Sequence, residues 1–258
     1  MFLKLNWIGI HVADFEAALW FYTEVLGMHA TDTKPNWAYI ETTGMTFELF
    51  GGGEPPISNQ SAWGHGQAVR PSIQVADLQK TITELRQRGV QFTGDIEQTT
   101  VGEMIEFIAP ENMRWTLVHA PAYPFGSSLN KPHIGWIELK VDRLTEQRAF
   151  YNEVLGLHPE NGQGERVVLT QGTGQPFLFL EPGGQRAAPF QINQNMLQPL
   201  PSHLMSVETD NIEEAATSLK SRNIPILTEI TRRDWGGIDF YIVDVDGNPI
   251  QIVQYIQK

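Results

Sequence analysis

Val12–Met28 reads VADFEAALWFYTEVLGM, and Val141–Leu157 reads VDRLTEQRAFYNEVLGL. Phe21-Tyr22 matches Phe150-Tyr151, and the run EVLG at Glu24–Gly27 recurs at Glu153–Gly156, half the chain away. A second pair lies between these copies. Leu85–Phe92 reads LRQRGVQF and Leu219–Ile226 reads LKSRNIPI; upstream, AVRPSIQVADLQKTI corresponds to HLMSVETDNIEEAA. Two matches at nearly equal offsets identify an internal duplication of a smaller repeat, so the chain is four modules in series.

Each module has the same grammar. A strand alternates apolar and polar residues, as in Trp7-Ile8-Gly9-Ile10-His11-Val12. Asp14 then offers a carboxylate to the free N–H groups of a helix start. Phe15, Ala18, Leu19, Tyr22, Val25 and Leu26 share one face of that helix. Gly27 and Gly89 suit the position just past a helix end, where φ is often positive. Short strands follow: WAYIET and MTFELF in the first module, DFYIVD and PIQIVQ in the last, the latter pair joined by the turn sequence Asp246-Gly247-Asn248. Pro- and Gly-rich stretches separate the modules, and Pro121–Pro132 is the natural boundary. The predicted fold class is α+β, with four βαβββ modules. Residues 1–121 (modules 1–53 and 69–121) and 133–258 (modules 133–184 and 202–258) form the predicted domains.

Composition narrows the function. The chain has 258 residues, a formal net charge of −12 and no cysteine. That charge repels phosphate backbones, which argues against nucleic-acid partners and slightly favours cationic or neutral ligands. Without cysteine there is no disulfide framework, zinc ribbon or thiol nucleophile. MFLKLNWIGI alternates like a strand rather than showing a basic stretch followed by a long apolar run, and no apolar run approaches a membrane span. A cytoplasmic location, no membrane partner and a small organic molecule as ligand are the expectations; a homodimer is compatible with them. There is no phosphate loop, H-E-x-x-H or G-x-S-x-G, and Gly51–Gly53 precedes EPP rather than a helix.

The V-x-D…FY-x-x-VLG block, its copy, and DVDGNPIQIVQ at Asp244–Gln254 resemble the vicinal oxygen chelate superfamily. That superfamily includes glyoxalase I, extradiol dioxygenases, fosfomycin-resistance enzymes and bleomycin-binding resistance proteins. The resemblance implies that modules pair to close curved sheets around two cavities. It implies a metal ligand five residues before the V of V-x-D, usually His, and another, usually Glu, in the last strand of each module. Here the first position holds Trp7, Arg70, Trp136 and Leu204 (with His203 beside it); the second holds Glu48, Thr116, Phe179 and Gln251. Indole and guanidinium cannot ligate an ion, and a divalent metal needs three or four converging donors. No metal and no cofactor is therefore expected, a divalent metal remaining the alternative.

Strand phase proposes the cavity linings. In the first half it offers Trp7, Gly9 and His11 with Arg70, Ser72 and Gln74, joined by Glu48, Phe50 and Thr116. In the second half it offers Trp136, Glu138 and Lys140 with Ser206, Glu208, Phe179, Glu181 and Gln251. Trp7 and Trp136 are stacking walls or plugs of a disused cavity. His11 and Glu48 are the candidate acid–base residues, His11 being alternatively a structural histidine and Glu48 with Arg70 alternatively a buried ion pair. Arg70, Gln74, Thr116, Glu138, Lys140 and Gln251 are candidate ligand contacts. Glu138 and Lys140 are alternatively a pair at the sheet rim. Trp63, His65 and Trp235 lie on Gly-rich loops that border a cavity mouth or tuck their own loops down. Three functions follow: metal-free binding of a planar or cationic molecule; a lyase, isomerase or dioxygenase-type enzyme using a metal or the His11/Glu48 pair; and a structural or regulatory module with filled hollows.

Overall fold

The computed structural model describes residues 2–51, 69–99, 101–110, 113–123, 132–159, 167–170, 176–182 and 203–256. Trp63 and His65 lie outside the described residues, as do the side chains of His203 and Leu204. The four modules are all present. The first holds β1 (Phe2–His11), α1 (Phe15–Trp20), β2 (His29–Lys34), β3 (Trp37–Glu41), β4 (Thr43–Gly44) and β5 (Thr46–Phe50). The second holds β6 (Val69–Gln74), α2 (Leu78–Gln87), β7 (Gln91–Gln98), β8 (Glu103–Ala109) and β9 (Met113–His119). The third holds β10 (His133–Val141), α3 (Leu144–Ala149), β11 (His158–Pro159), β12 (Val167–Thr170) and β13 (Pro176–Pro182). The fourth holds β14 (His203–Thr209), α4 (Ile212–Ser221), β15 (Thr231–Arg232), β16 (Gly237–Val243) and β17 (Pro249–Tyr255).

Local chemistry explains the helix ends. Asp14 accepts from Ala17 N, Asp77 from Lys80 N and Asn211 from Glu214 N, each capping a helix start. Gly27, Gly89 and Gly156 take positive φ after their helices, and Asn223 takes φ 58° at the corresponding point of the fourth module, as Asn tolerates. The aromatic motif adds a feature that periodicity does not announce. Phe21–Val25 and Phe150–Val154 wind as π-helical turns, with Leu26 N donating to Phe21 O over five residues.

The sheets do not follow the halves of the chain. One runs β15-β16-β17-β14-β1-β5-β3-β2 and joins the first module to the fourth. The other runs β11-β12-β13-β10-β6-β9-β8-β7 and joins the second to the third. The seams are antiparallel, β1 against β14 and β10 against β6. The predicted domains 1–121 and 133–258 therefore do not correspond to sheets. Modules adjacent in sequence meet instead through their helix-bearing faces: Trp115 Nε1 donates to Tyr22 OH at 3.1 Å, and Tyr151 OH to Asp244 Oδ2 at 3.0 Å. One apolar core joins residues of all four modules behind the sheets.

Strand phase is as the alternation implies. Ile8, Ile10 and Val12, and likewise Ile137, Leu139 and Val141, lie in the common core. Trp7 and His11, and Trp136 and Glu138, face the other way, into the two concave faces. Among the described residues no helix is long and apolar enough to cross a membrane.

Candidate functional site

Because the sheets join modules across the halves, the predicted linings are redistributed. Trp7, His11 and Glu48 share the first sheet with Ser206 and Gln251. Arg70, Ser72, Gln74 and Thr116 share the second with Trp136, Glu138, Lys140, Phe179 and Glu181. Glu48 and Arg70 are thus not an ion pair: they stand on different sheets.

On the concave face of the first sheet, Trp7 and Gly9 are two residues apart, and the Trp7 ring lies over Gly9. A Cβ at position 9 would stand 2.2 Å from Trp7 Cη2. Gly9 lies opposite Glu48 on β5, and His11 opposite Phe50. The His11 and Phe50 rings stack at 4.8 Å and 14°, while Trp7 meets Phe50 edge-on at 5.8 Å. Trp37, on β3, donates from Nε1 to Glu48 Oε2 at 2.9 Å, and the Lys34 ammonium lies 4.7 Å over its ring. Burial raises the Glu48 carboxyl above its usual range; the Trp37 and Trp7 indoles and the charge of Lys34 oppose this. Burial brings His11 down to about 4, so its ring is neutral at pH 7, and its buried Nε2 has no hydrogen-bond partner. A base that weak is a poor proton acceptor near neutrality.

The fourth module completes this face. Ser206 lies opposite Trp7 on one side and Gln251 on the other. Gln251 Nε2 donates to Asp239 Oδ2 at 2.6 Å and lies 3.4 Å from Tyr241 OH; Asp239 pairs with Arg233 at 2.8 Å. Ser206 Oγ is buried without a partner. Trp37, Asp239, Tyr241 and Arg233 are not among the residues expected at this face. Trp37 was legible from the alternation of WAYIET, which sets Ala38 and Ile40 against it.

The second concave face is filled. Trp136 packs on Phe179, centroids 4.8 Å apart, within a small cluster that includes Met104, Val118 and Val168. Next to it Arg70 holds three carboxylates. Its Nη1 contacts Glu106, and its Nη2 lies 3.2 Å from Glu138 Oε2 and also contacts Glu181. Glu138 accepts from Ser72 at 3.1 Å and Thr116 at 3.2 Å, so it is not a simple rim partner of Lys140. Lys140 is lowered chiefly by burial, with the Arg70 charge adding to it. Gln74 donates to Ala120 O and Tyr123 O. Trp235 is at the rim of the first face, 55% exposed.

Among the described residues neither face brings together a donor set for a divalent ion. On the first face Glu48 stands near His11, with Ser206 and Gln251 opposite, and the second carboxylate, Asp239, is already paired with Arg233. In the second a guanidinium already occupies the centre of its three carboxylates. Among the described residues no group of three His, Cys, Asp or Glu side chains is placed to hold a metal.

A model of the Glyoxalase/Bleomycin resistance protein/Dioxygenase superfamily matches residues 4–117 and 133–252. No curated protein matches the chain. Among solved structures, glyoxalase I from Zea mays superposes with a TM-score of 0.71 at 14% identity, covering 97% of this chain and 92% of that one. A provisionally named dioxygenase from Bacillus subtilis subsp. subtilis str. 168 gives 0.70 at 15% identity, covering 99% and 86%. The cppA protein of Streptococcus pneumoniae TIGR4 gives 0.51 at 13% identity, covering 98% and 100%. These likenesses establish the fold, and none of them fixes a reaction.

Proposed function

We propose a function from one premise: the chain belongs to the Glyoxalase/Bleomycin resistance protein/Dioxygenase superfamily. The protein binds a small planar organic molecule, preferentially a cation, on the concave face of the first sheet, without a metal. The observation that carries this reading is a half-buried carboxylate walled by rings. Glu48 is bordered by Trp7 and Trp37, with Phe50 and His11 beyond them. Aromatic faces stack on flat rings and attract cations, by about 0.5–2 kcal/mol per contact. The unpartnered hydroxyl of Ser206 supplies a hydrogen bond to a polar group of the ligand. The second face, closed by Trp136, Phe179 and the Arg70 cluster, has a structural role in this proposal.

The test is a fluorescence and thermal-shift titration with N-methylacridinium, a planar cation, against the wild type, Trp7→Ala and Glu48→Gln. Saturable binding weakened about tenfold or more in both variants is expected, about 1.4 kcal/mol. Equal binding by all three defeats the reading. The raised pKa of Glu48 favours a second reading, in which Glu48 moves a proton on a bound carbonyl compound. Turnover lost in Glu48→Gln with binding intact would select it.

A further inference from the structure

The first concave face has an outer end that the binding reading leaves unused. Trp235 and Tyr255 are 55% and 45% exposed, and their rings lie 6.0 Å apart at 56°. Both are rooted on the concave side. Gly237 lies opposite Tyr255, and Tyr241 opposite Gln251, across the β16–β17 pair. Alternation therefore puts Gly237, Asp239 and Tyr241 on one face with Gln251, Val253 and Tyr255, while Phe240 and Ile252 go to the core. A Cβ at 237 would stand 1.8 Å from Trp235 Cζ3, so the ring lies over that glycine on the concave side. Trp7 lies over Gly9 in the same way at the inner end.

We propose that Trp235 and Tyr255 form an outer subsite of this face, and that the ligand carries a second flat ring that rests there. The inference rests on the reading of the inner site. Between the two aromatic ends run Arg233, Asp239 and Gln251, joined by hydrogen bonds. A polar linker with donors and acceptors suits that floor. Four residues along β17 separate Tyr255 from Gln251, about 13 Å at roughly 3.3 Å per residue. Two strand spacings of about 4.8 Å then lead through Ser206 to Trp7. The two ring sites are thus about 16 Å apart.

A protein partner fits this place less well. A stable protein interface covers about 800 Å² on each side, far more than two rings. Trp20, the other exposed tryptophan among the described residues, belongs to α1, which packs behind the sheet, so the three rings make no continuous patch.

The experiment compares N-methylacridinium with a bis-acridinium whose rings are joined by a diamide linker spanning about 16 Å. The wild type binds the double-ring compound about tenfold or more tightly than the single-ring one. Trp235→Ala abolishes that advantage and leaves single-ring affinity within about twofold, since a second contact adds avidity only when both sites are engaged. An advantage that is absent in the wild type, or that survives in Trp235→Ala, overturns the outer subsite while the inner site stands. Failure of the single-ring compound to bind overturns both. Sedimentation of the wild type and Trp235→Ala gives the remaining outcome: self-association lost in the variant assigns the pair to a second copy of the chain and overturns the proposal.

Discussion

His11 and Glu48 sit two register positions apart in the β1–β5 ladder, and burial moves their protons in opposite directions. His11 falls from 6.5 to about 4. The unfolded chain then binds the proton more strongly, so the contribution to stability is full above pH 6.5 and is lost as pH falls towards 4. Urea unfolding at pH 7 and pH 4 should show a smaller acid-induced loss in His11→Gln than in the wild type, by roughly 1–3 kcal/mol. Equal losses would mean that His11 is not the group. Glu48 is raised, so its charge, and with it the attraction for a cation, appears at higher pH than for an exposed glutamate. Affinity for N-methylacridinium should rise with pH through this ionisation in the wild type. It should be flat over the same range in Glu48→Gln, measured as Kd against pH.

At the scale of elements, the Arg70 side chain reinforces the β6–β10 seam of the second sheet. Arg70 on β6 reaches Glu106 on β8, Glu138 on β10 and Glu181 on β13, so a single guanidinium serves strands of two modules. Removing one member of such a buried set leaves uncompensated charge, at a cost of about 3–5 kcal/mol. Arg70→Met should lower stability by that amount at pH 7. A change below about 1 kcal/mol in denaturant unfolding would show that the cluster contributes little. The same sheet explains why two tryptophans at one repeat position have different settings. Trp136 packs on Phe179 in a closed cluster, while Trp7 borders a half-buried carboxylate.

For the molecule as a whole, each curved sheet takes one module from each half of the chain. Residues 1–121 alone would carry β1 and β6 without their antiparallel partners β14 and β10. Unpaired strand edges of that kind recruit another chain. That fragment should therefore form a dimer in which the first module of one copy joins the second module of the other. The mass from light scattering checks this, and a stable monomer would show that its two modules can close a sheet together.

The residues by themselves determined the four modules, the capped helices and the side of each strand that meets the core, because caps, glycine positions and period-two alternation are local properties of the chain. They also revealed that the usual ligand positions hold indole, guanidinium and aliphatic groups. They left open which module pairs with which, since strand edges carry the same backbone hydrogen-bonding groups whatever their neighbour. Only the tertiary structure set Glu48 apart from Arg70, filled one hollow with Arg70 and its three glutamates, and joined Trp7 to Ser206 and Gln251 across the chain.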